Sequence, residues 1–190
     1  MEQKKNKFLV KYKENGDFNQ YWYSQITIEF LRDQVQKHGK VVAFLSTPSI
    51  FFSLNDDEIK KNSYLFEIDR AFGKNNPNFV YFDFKNPTDF DQKYENFFDF
   101  VLIDPPFITR DVWSKFAETA KYIIKKDKDN KIEGKILSSS IDENQEMLDE
   151  LLGLKIRKFR PLIPNLVYQY SLYSNYEDEQ LDQENPEVQF

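Results

Sequence analysis

The apolar residues of this 190-residue chain follow two rhythms. Short runs such as Val41 to Leu45, Tyr64-Leu65-Phe66, Phe79 to Phe82 and Phe98 to Ile103 are nearly unbroken and rich in β-branched and aromatic side chains. Strands covered on both faces read this way. Between these runs the spacing turns helical. Ile26, Ile28, Phe30, Leu31 and Val35 form a stripe that begins after Ser24, a good N-cap, and runs to His38-Gly39, where the glycine ends the helix. Asn55-Asp56-Asp57-Glu58 marks a second helix start, with acids in its first turn. A third helix is expected from Arg110 to Lys125, with Val112, Phe116, Ala120 and Ile123-Ile124 on its inner face, and a fourth from Glu143 to Leu152, ended by Gly153.

After the charged loop Asp127 to Glu133, Gly134 to Ser140 supplies a fifth strand. Leu154 to Phe159 and Leu166 to Tyr173 then make an antiparallel pair joined across Pro161 and Pro164. Strands alternating with helices and closed by a strand pair predict an α/β domain with a mostly parallel sheet and an antiparallel edge hairpin. Its expected span is 20–175. Residues 1–19 read as a lysine-rich N-terminal arm, and 176–190 as an acidic, disordered tail.

The run Phe98 to Ile103 is set apart by its ending, Asp104-Pro105-Pro106-Phe107. Two prolines fix φ and remove two backbone donors, so the Asp104 and Pro105 carbonyls are held outward as acceptors and no helix starts through them. Acceptors beside a carboxylate and an aromatic face suit an amine nucleophile gripped by its N–H groups. The plain alternative is a strand that ends in a surface turn. Two further strands end in acids, Glu67 or Asp69 after the second and Asp83 after the third. In a parallel sheet these emerge on the same edge as Asp104 and line a crevice suited to a nucleoside, one acid for ribose hydroxyls and another for the exocyclic amine of adenine. Taken singly, each such acid is a turn former or an N-cap.

Composition narrows the chemistry. Nineteen Phe and eleven Tyr supply the core, while the absence of cysteine and the single histidine exclude a disulfide framework, a Cys-based zinc site and a His-cluster metal site. His38 lies in the last turn of a helix, a favourable place for a cation rather than a catalytic one. No apolar run approaches the roughly 20 residues needed to span a bilayer, and the opening residues have no signal-peptide core, so a soluble, cytoplasmic protein without membrane or metal is expected. The net charge of −6 comes wholly from the six acids between Tyr176 and Phe190. The remaining body, with 26 acids against 26 bases, is a poor electrostatic match for duplex nucleic acid; the tail is either a solvated end or a lure for a basic partner. The loop Ser46-Thr47-Pro48-Ser49 contains no glycine, which disfavours a pyrophosphate cradle and with it nicotinamide or ATP chemistry. S-adenosylmethionine, a nucleoside without phosphate, meets these constraints.

Taken in order, Gln20-Tyr21-Trp22-Tyr23-Ser24, Phe44 to Ser49, Leu65 to Asp69, Phe82-Asp83-Phe84 with Asn86-Pro87, and Asp104-Pro105-Pro106-Phe107 resemble the elongation factor 1-alpha lysine methyltransferases, a family once labelled N6-adenine-specific DNA methyltransferase 2. The resemblance covers Gln20 to Tyr173. The Asp-Pro-Pro-Phe signature is shared by amino-methyltransferases of DNA, RNA and protein; its combination with the aromatic stretch and the glycine-free loop makes it specific. The resemblance implies a class I, Rossmann-like methyltransferase fold with a seven-stranded sheet and methylation of a lysine ε-amine on the translation factor, which is then the protein partner. The enzyme itself is expected to be a monomer.

The roles expected on that basis are these. Asp104 and Pro105 orient the amine, and Phe107 packs against the lysine stem or the sulfonium. Asp83 and Glu67 or Asp69 hold the adenosine, with Trp22, Ser46, Thr47, Pro48, Phe84 and Asp104 around the cofactor. Tyr21, Tyr23, Pro106 and Phe107 line the substrate path; for Tyr21 and Trp22, core packing of the N-terminal helix is the plain alternative. Two other functions fit the same residues: an N6-adenine nucleic-acid methyltransferase, and a non-catalytic methyltransferase-like subunit.

Overall fold

The computed structural model describes residues 5–188. One sheet holds all seven strands: β1 (Val42–Leu45), β2 (Ser63–Glu67), β3 (Phe79–Tyr81), β4 (Phe100–Ile103), β5 (Lys135–Ser140), β6 (Lys155–Ile156) and β7 (Ser171–Ser174). Their spatial order is β3-β2-β1-β4-β5-β7-β6; the first five are parallel, and β7 runs antiparallel between β5 and β6. Chain order reverses between β1 and β4, the point where an open α/β sheet leaves a crevice at its carboxyl edge.

Among the described residues six α-helices flank the sheet: α1 (Lys7–Lys11), α2 (Gln25–His38), α3 (Pro48–Phe51), α4 (Asp57–Lys61), α5 (Arg110–Ile123) and α6 (Gln145–Leu152). The pleat sends Ala43, Leu45, Val101 and Ile103 to a core shared with α5 and α6, and Val42, Phe44, Phe100 and Leu102 to the opposite core under α2. Both layers are buried, which explains why these strands read as unbroken apolar runs. The expected caps hold. Ser24 accepts from the Thr27 N–H, and Gly39 closes α2 where a Cβ would stand 2.5 Å from a Val42 methyl. Only glycine lets that helix turn so directly into β1. Helix α5 starts on Thr109 and buries Trp113 and Ala117 beside the expected Val112, Phe116, Ala120 and Ile123.

The edge hairpin is smaller than expected. Strand β6 has two residues and β7 begins at Ser171; the Phe159 N–H leaves the ladder and donates to the Leu181 carbonyl at 2.9 Å. Residues 157–170 instead fold back, and the Leu162 carbonyl accepts from the Ser24 N–H at 2.8 Å. Pro48, expected in a loop, opens the short helix α3, where its missing N–H costs nothing.

The terminal segments also depart from expectation. Phe8, in the arm, is buried against Trp22 with ring centroids 5.0 Å apart. The acidic tail is not free: between 176 and 188, Tyr176, Asp178, Leu181 and Asn185 are buried. Charge count concealed these two apolar anchors and two well-bonded polar groups. Asp178 meets Lys37 and His38 at 2.6 Å each, and Asn185 donates to the Arg160 carbonyl at 2.8 Å. The ends of both expected segments, Met1 to Lys4 and Gln189-Phe190, lie outside the described residues. Among the described residues no helix is long and apolar enough to cross a membrane, and no group of three or more His, Cys, Asp or Glu could hold a metal.

Candidate active site

Three strands end together at the carboxyl edge. Leu45 pairs with Phe66 on one side and with Ile103 on the other, so Ser46, Glu67 and Asp104 leave the sheet side by side. They border a cleft of about 790 Å³, open mouth included. Ser46 takes φ +56°, in the left-handed region, and its N–H donates to the Phe66 carbonyl at 2.9 Å. Glycine is usual at such a turn; serine adopts it at roughly 1 kcal/mol. The glycine-free loop therefore still makes the sharp bend. It delivers Thr47, which caps α3 without a side-chain bond and keeps its hydroxyl buried and unpartnered. The Trp22 indole N–H is also buried without a partner, and both residues line the cleft. Buried polar atoms without protein partners in a cleft wall are suited to a bound molecule.

Among the described residues, no Lys, Arg or His lines the cleft. Its two acids are each held by neutral donors. Glu67 is 5% exposed; its Oε1 accepts from the N–H groups of Ile68 at 2.9 Å and Asp69 at 3.1 Å. Burial pushes its carboxyl up to about 7, against the pull of those two bonds. Asp104 Oδ1 accepts from the Ser139 hydroxyl at 3.0 Å, and the Tyr23 hydroxyl lies 2.6 Å from the Ser139 oxygen. Burial pushes Asp104 up to about 6, although Tyr23 and Ser139 favour its charged form. Burial first, and then the Asp104 charge, hold the Tyr23 phenol well above its ordinary value, so it stays a donor. Tyr170, in the cleft wall, is raised for the same two reasons. The Pro105 carbonyl accepts from no described residue, whereas that of Pro106 accepts from the Asn19 side chain.

The structure brings together most of the expected cofactor residues. Trp22, Ser46, Thr47, Pro48, Glu67, Phe84, Asp104 and Pro105 line one cleft, joined by Tyr21 and Pro106 from the expected substrate path. Four residues fall elsewhere. Asp69 caps a helical turn, with Oδ1 accepting from the Ala71 N–H at 2.9 Å and Oδ2 from Gln20 at 3.1 Å. Strand β3 stops at Tyr81, so Asp83 lands in the following turn and accepts from the Lys85 N–H at 3.0 Å; its neighbours Phe82 and Phe84 face the cleft instead. Tyr23 is 3% exposed beside Asp104 and is not part of the cleft lining. Phe107 lies outside the cleft lining, 49% exposed.

Ser139, Gln20 and Tyr170 carried no expectation of a site role. Ser139 had one local signal: three serines at the end of a buried strand, where apolar residues are usual, indicate polar work at that edge. Nothing local links it to Asp104.

Two solved structures share the fold. The crystal structure of Thermoplasma acidophilum 1320 matches with a TM-score of 0.52 over 84% of this chain and 94% of its own, at 14% identity. TrmN from Thermus thermophilus matches with a TM-score of 0.50 over 77% of this chain and 47% of its own, at 11% identity. The sheet order is that of the class I methyltransferase fold, and the match to a methyltransferase family implies S-adenosylmethionine as the cofactor. More particularly, the chain belongs to the family described as "Probable N6-adenine methyltransferase", whose model matches residues 14–178. It is similar to the human EEF1A lysine methyltransferase 1, 31% identical over 170 residues that cover 86% of this chain and 76% of the relative. It is also similar to the Protein-lysine N-methyltransferase EFM5 of Saccharomyces cerevisiae, 28% identical over 190 residues covering 92% of this chain and 77% of the relative.

The residues present fit that cofactor. Two carboxylates and no cation suit a ligand that carries a sulfonium and an ammonium, and disfavour phosphate. Aromatic walls from Trp22, Phe82 and Phe84 suit an adenine ring.

Proposed function

We infer that this enzyme methylates a lysine ε-amine of elongation factor 1-alpha, acting as a cytoplasmic monomer. S-adenosylmethionine supplies the methyl group from its sulfonium. When bound, it would be held by Glu67 at the ribose hydroxyls, by Thr47 Oγ1 and the Trp22 indole N–H at its polar groups, and by Phe84 beside the adenine. The observation that carries the reading is the pairing of Asp104 with a donor-free Pro105 carbonyl at the edge of a cation-free cleft. Two acceptors of that kind hold an amine by its N–H groups and leave its lone pair free.

Lysine titrates near 10.4 in model peptides, so the site must favour the neutral amine. The desolvation that raises Asp104 acts on an entering ammonium in the opposite sense and, against the attraction of the Asp104 charge, favours loss of its proton to water before transfer. Tyr21 and Phe107, both exposed, flank the path by which the lysine stem enters. A cleft without Lys or Arg favours a protein acceptor over a nucleic acid, which needs a basic footprint.

The test is transfer of labelled methyl from S-adenosylmethionine, with purified elongation factor 1-alpha and unmethylated DNA offered in parallel and the Asp104→Ala protein as control. Label on the factor that disappears with the variant supports the reading. Label on DNA alone would replace it with the adenine enzyme, and label on neither would replace it with a non-catalytic subunit.

A further inference from the structure

Strands β4 and β5 are paired so that Ile103 stands opposite Ser138, which puts Ser139 next to Asp104. The three serines that end β5 have different fates. Ser138 keeps a buried, unpartnered hydroxyl, Ser140 accepts from Asn144 at 2.9 Å, and Ser139 alone reaches the acid. Tyr23 arrives from the other end of the chain, preceding α2 by two residues, and its hydroxyl meets only this pair. A serine hydroxyl has one proton. If Ser139 gives it to Asp104, Ser139 accepts from Tyr23, and the order Tyr23 to Ser139 to Asp104 is set by proton count alone. Each bond in such a chain polarises the next, in a site where both residues are only 3% exposed.

We propose that Tyr23 and Ser139 are positioning residues for methyl transfer: their hydroxyl chain occupies Oδ1 of Asp104, holds that carboxylate charged, and leaves Oδ2 for the substrate amine. The proposal rests on the reading of Asp104 as the acid that orients the amine. Among the described residues, Asp104 has no other side-chain donor. The pair therefore sets the direction of the carboxylate and, against the burial that raises it, widens the pH range in which it is ionised. Neither residue touches the substrate, so their effect must pass through Asp104.

Two measurements test this. The first titrates the Asp104 side-chain carboxyl by carbon-13 NMR in protein with labelled aspartate, the signal being assigned with Asp104→Asn. Ser139→Ala removes the charge-assisted bond itself and is expected to move the carboxyl titration up by about one pH unit, while Tyr23→Phe removes the hydroxyl that polarises that bond and is expected to move it the same way by less. The second follows kcat/KM for elongation factor 1-alpha across pH. The acid limb is expected to move up with the carboxyl, and kcat to fall on the order of tenfold, while KM for S-adenosylmethionine stays unchanged. Ser139→Thr, which keeps the hydroxyl, should return the limb to its original place. Tyr23→Phe keeps the buried ring and guards against a fold that fails at position 139.

An unmoved carboxyl titration overturns the chain itself, and a moved titration with an unmoved acid limb overturns its role in transfer. Full activity in Asp104→Asn would instead remove the parent reading. That failure is separable, because the titrations need no turnover.

Discussion

The two edges of the sheet treat buried carboxylates in opposite ways. At the amino edge, by the end of α2 and the start of β5, Asp178 is surrounded by opposite charge and strong donors. Lys37 and His38 meet its Oδ2, and Gln34 and the Gln180 N–H meet its Oδ1. The Lys135 ammonium can only donate to His38 Nδ1, at 2.9 Å, so His38 donates through Nε2 to Asp178. These partners, led by Lys37, outweigh burial and hold Asp178 far below the ordinary carboxylate range. At the carboxyl edge Glu67 and Asp104 are bonded only by neutral groups, and burial wins in both. An acid that fastens the tail has its charge compensated inside the protein; the cleft acids do not, and theirs remains for a cationic ligand.

The largest break in this comparison is expected from Asp104→Ala. Labelled-methyl assays should show transfer reduced by about 10³ or more, the scale of a lost transition-state contact, with the thermal melt no lower than before. A variant that melts early with transfer intact would make Asp104 structural, like Asp178.

Unfolding across pH should next separate the two edges. Glu67 is raised on folding, so its contribution is fully present below its ordinary value of 4.5 and is lost as pH rises through about 7. Asp178 is lowered, so its contribution persists above the ordinary carboxylate value and is lost only as pH falls through its folded value. In cofactor-free protein taken from about pH 8 to 4.5, wild type should gain up to about 3 kcal/mol relative to Glu67→Gln, while wild type and Asp178→Asn change in parallel. Denaturant titration reads both, and a gain shared by neither edge would cancel the contrast.

Asp178→Ala is expected to lower stability by about 2 kcal/mol, or roughly 4–8 °C in Tm, since Lys37 stays half solvated and recovers water. Methyl transfer at saturating substrate should not change, and a parallel loss of kcat would join the two edges functionally. The smallest effect is assigned to Glu67→Gln: affinity for S-adenosylmethionine about tenfold weaker by calorimetry, with kcat retained at saturation. A drop in kcat as large as that of Asp104→Ala would end the division of labour within the cleft.

Much of this molecule could be read locally. Strand runs from Val41 to Ser140, the caps at Ser24, Gly39 and Gly153, and the buried stripe of α5 depend on spacing within a few residues, and all appear as expected. Asp104, Glu67 and the Ser46 to Pro48 loop were accessible for the same reason, since each is where an apolar run stops. The departures from expectation arise where local pattern does not set the outcome. Asp69 and Asp83 also follow strands, but whether an acid clears the sheet or caps a turn depends on a difference of one or two residues in strand length. The tail looked solvated because acids outnumber apolar residues there, and only packing shows that Tyr176 and Leu181 are enough to seat it.

The sequence by itself determined the alternation of strands and helices, the kind of chemistry its acids, prolines and missing glycines allow, and the positions where strands deliver that chemistry. Tertiary structure alone decided which groups meet. Ser139 lies 35 residues from Asp104 and Tyr23 lies 116 residues from Ser139, and no local periodicity encodes such contacts. They follow from register, because pairing Ile103 with Ser138 and Leu45 with both Phe66 and Ile103 is what converts four strand endings into one site.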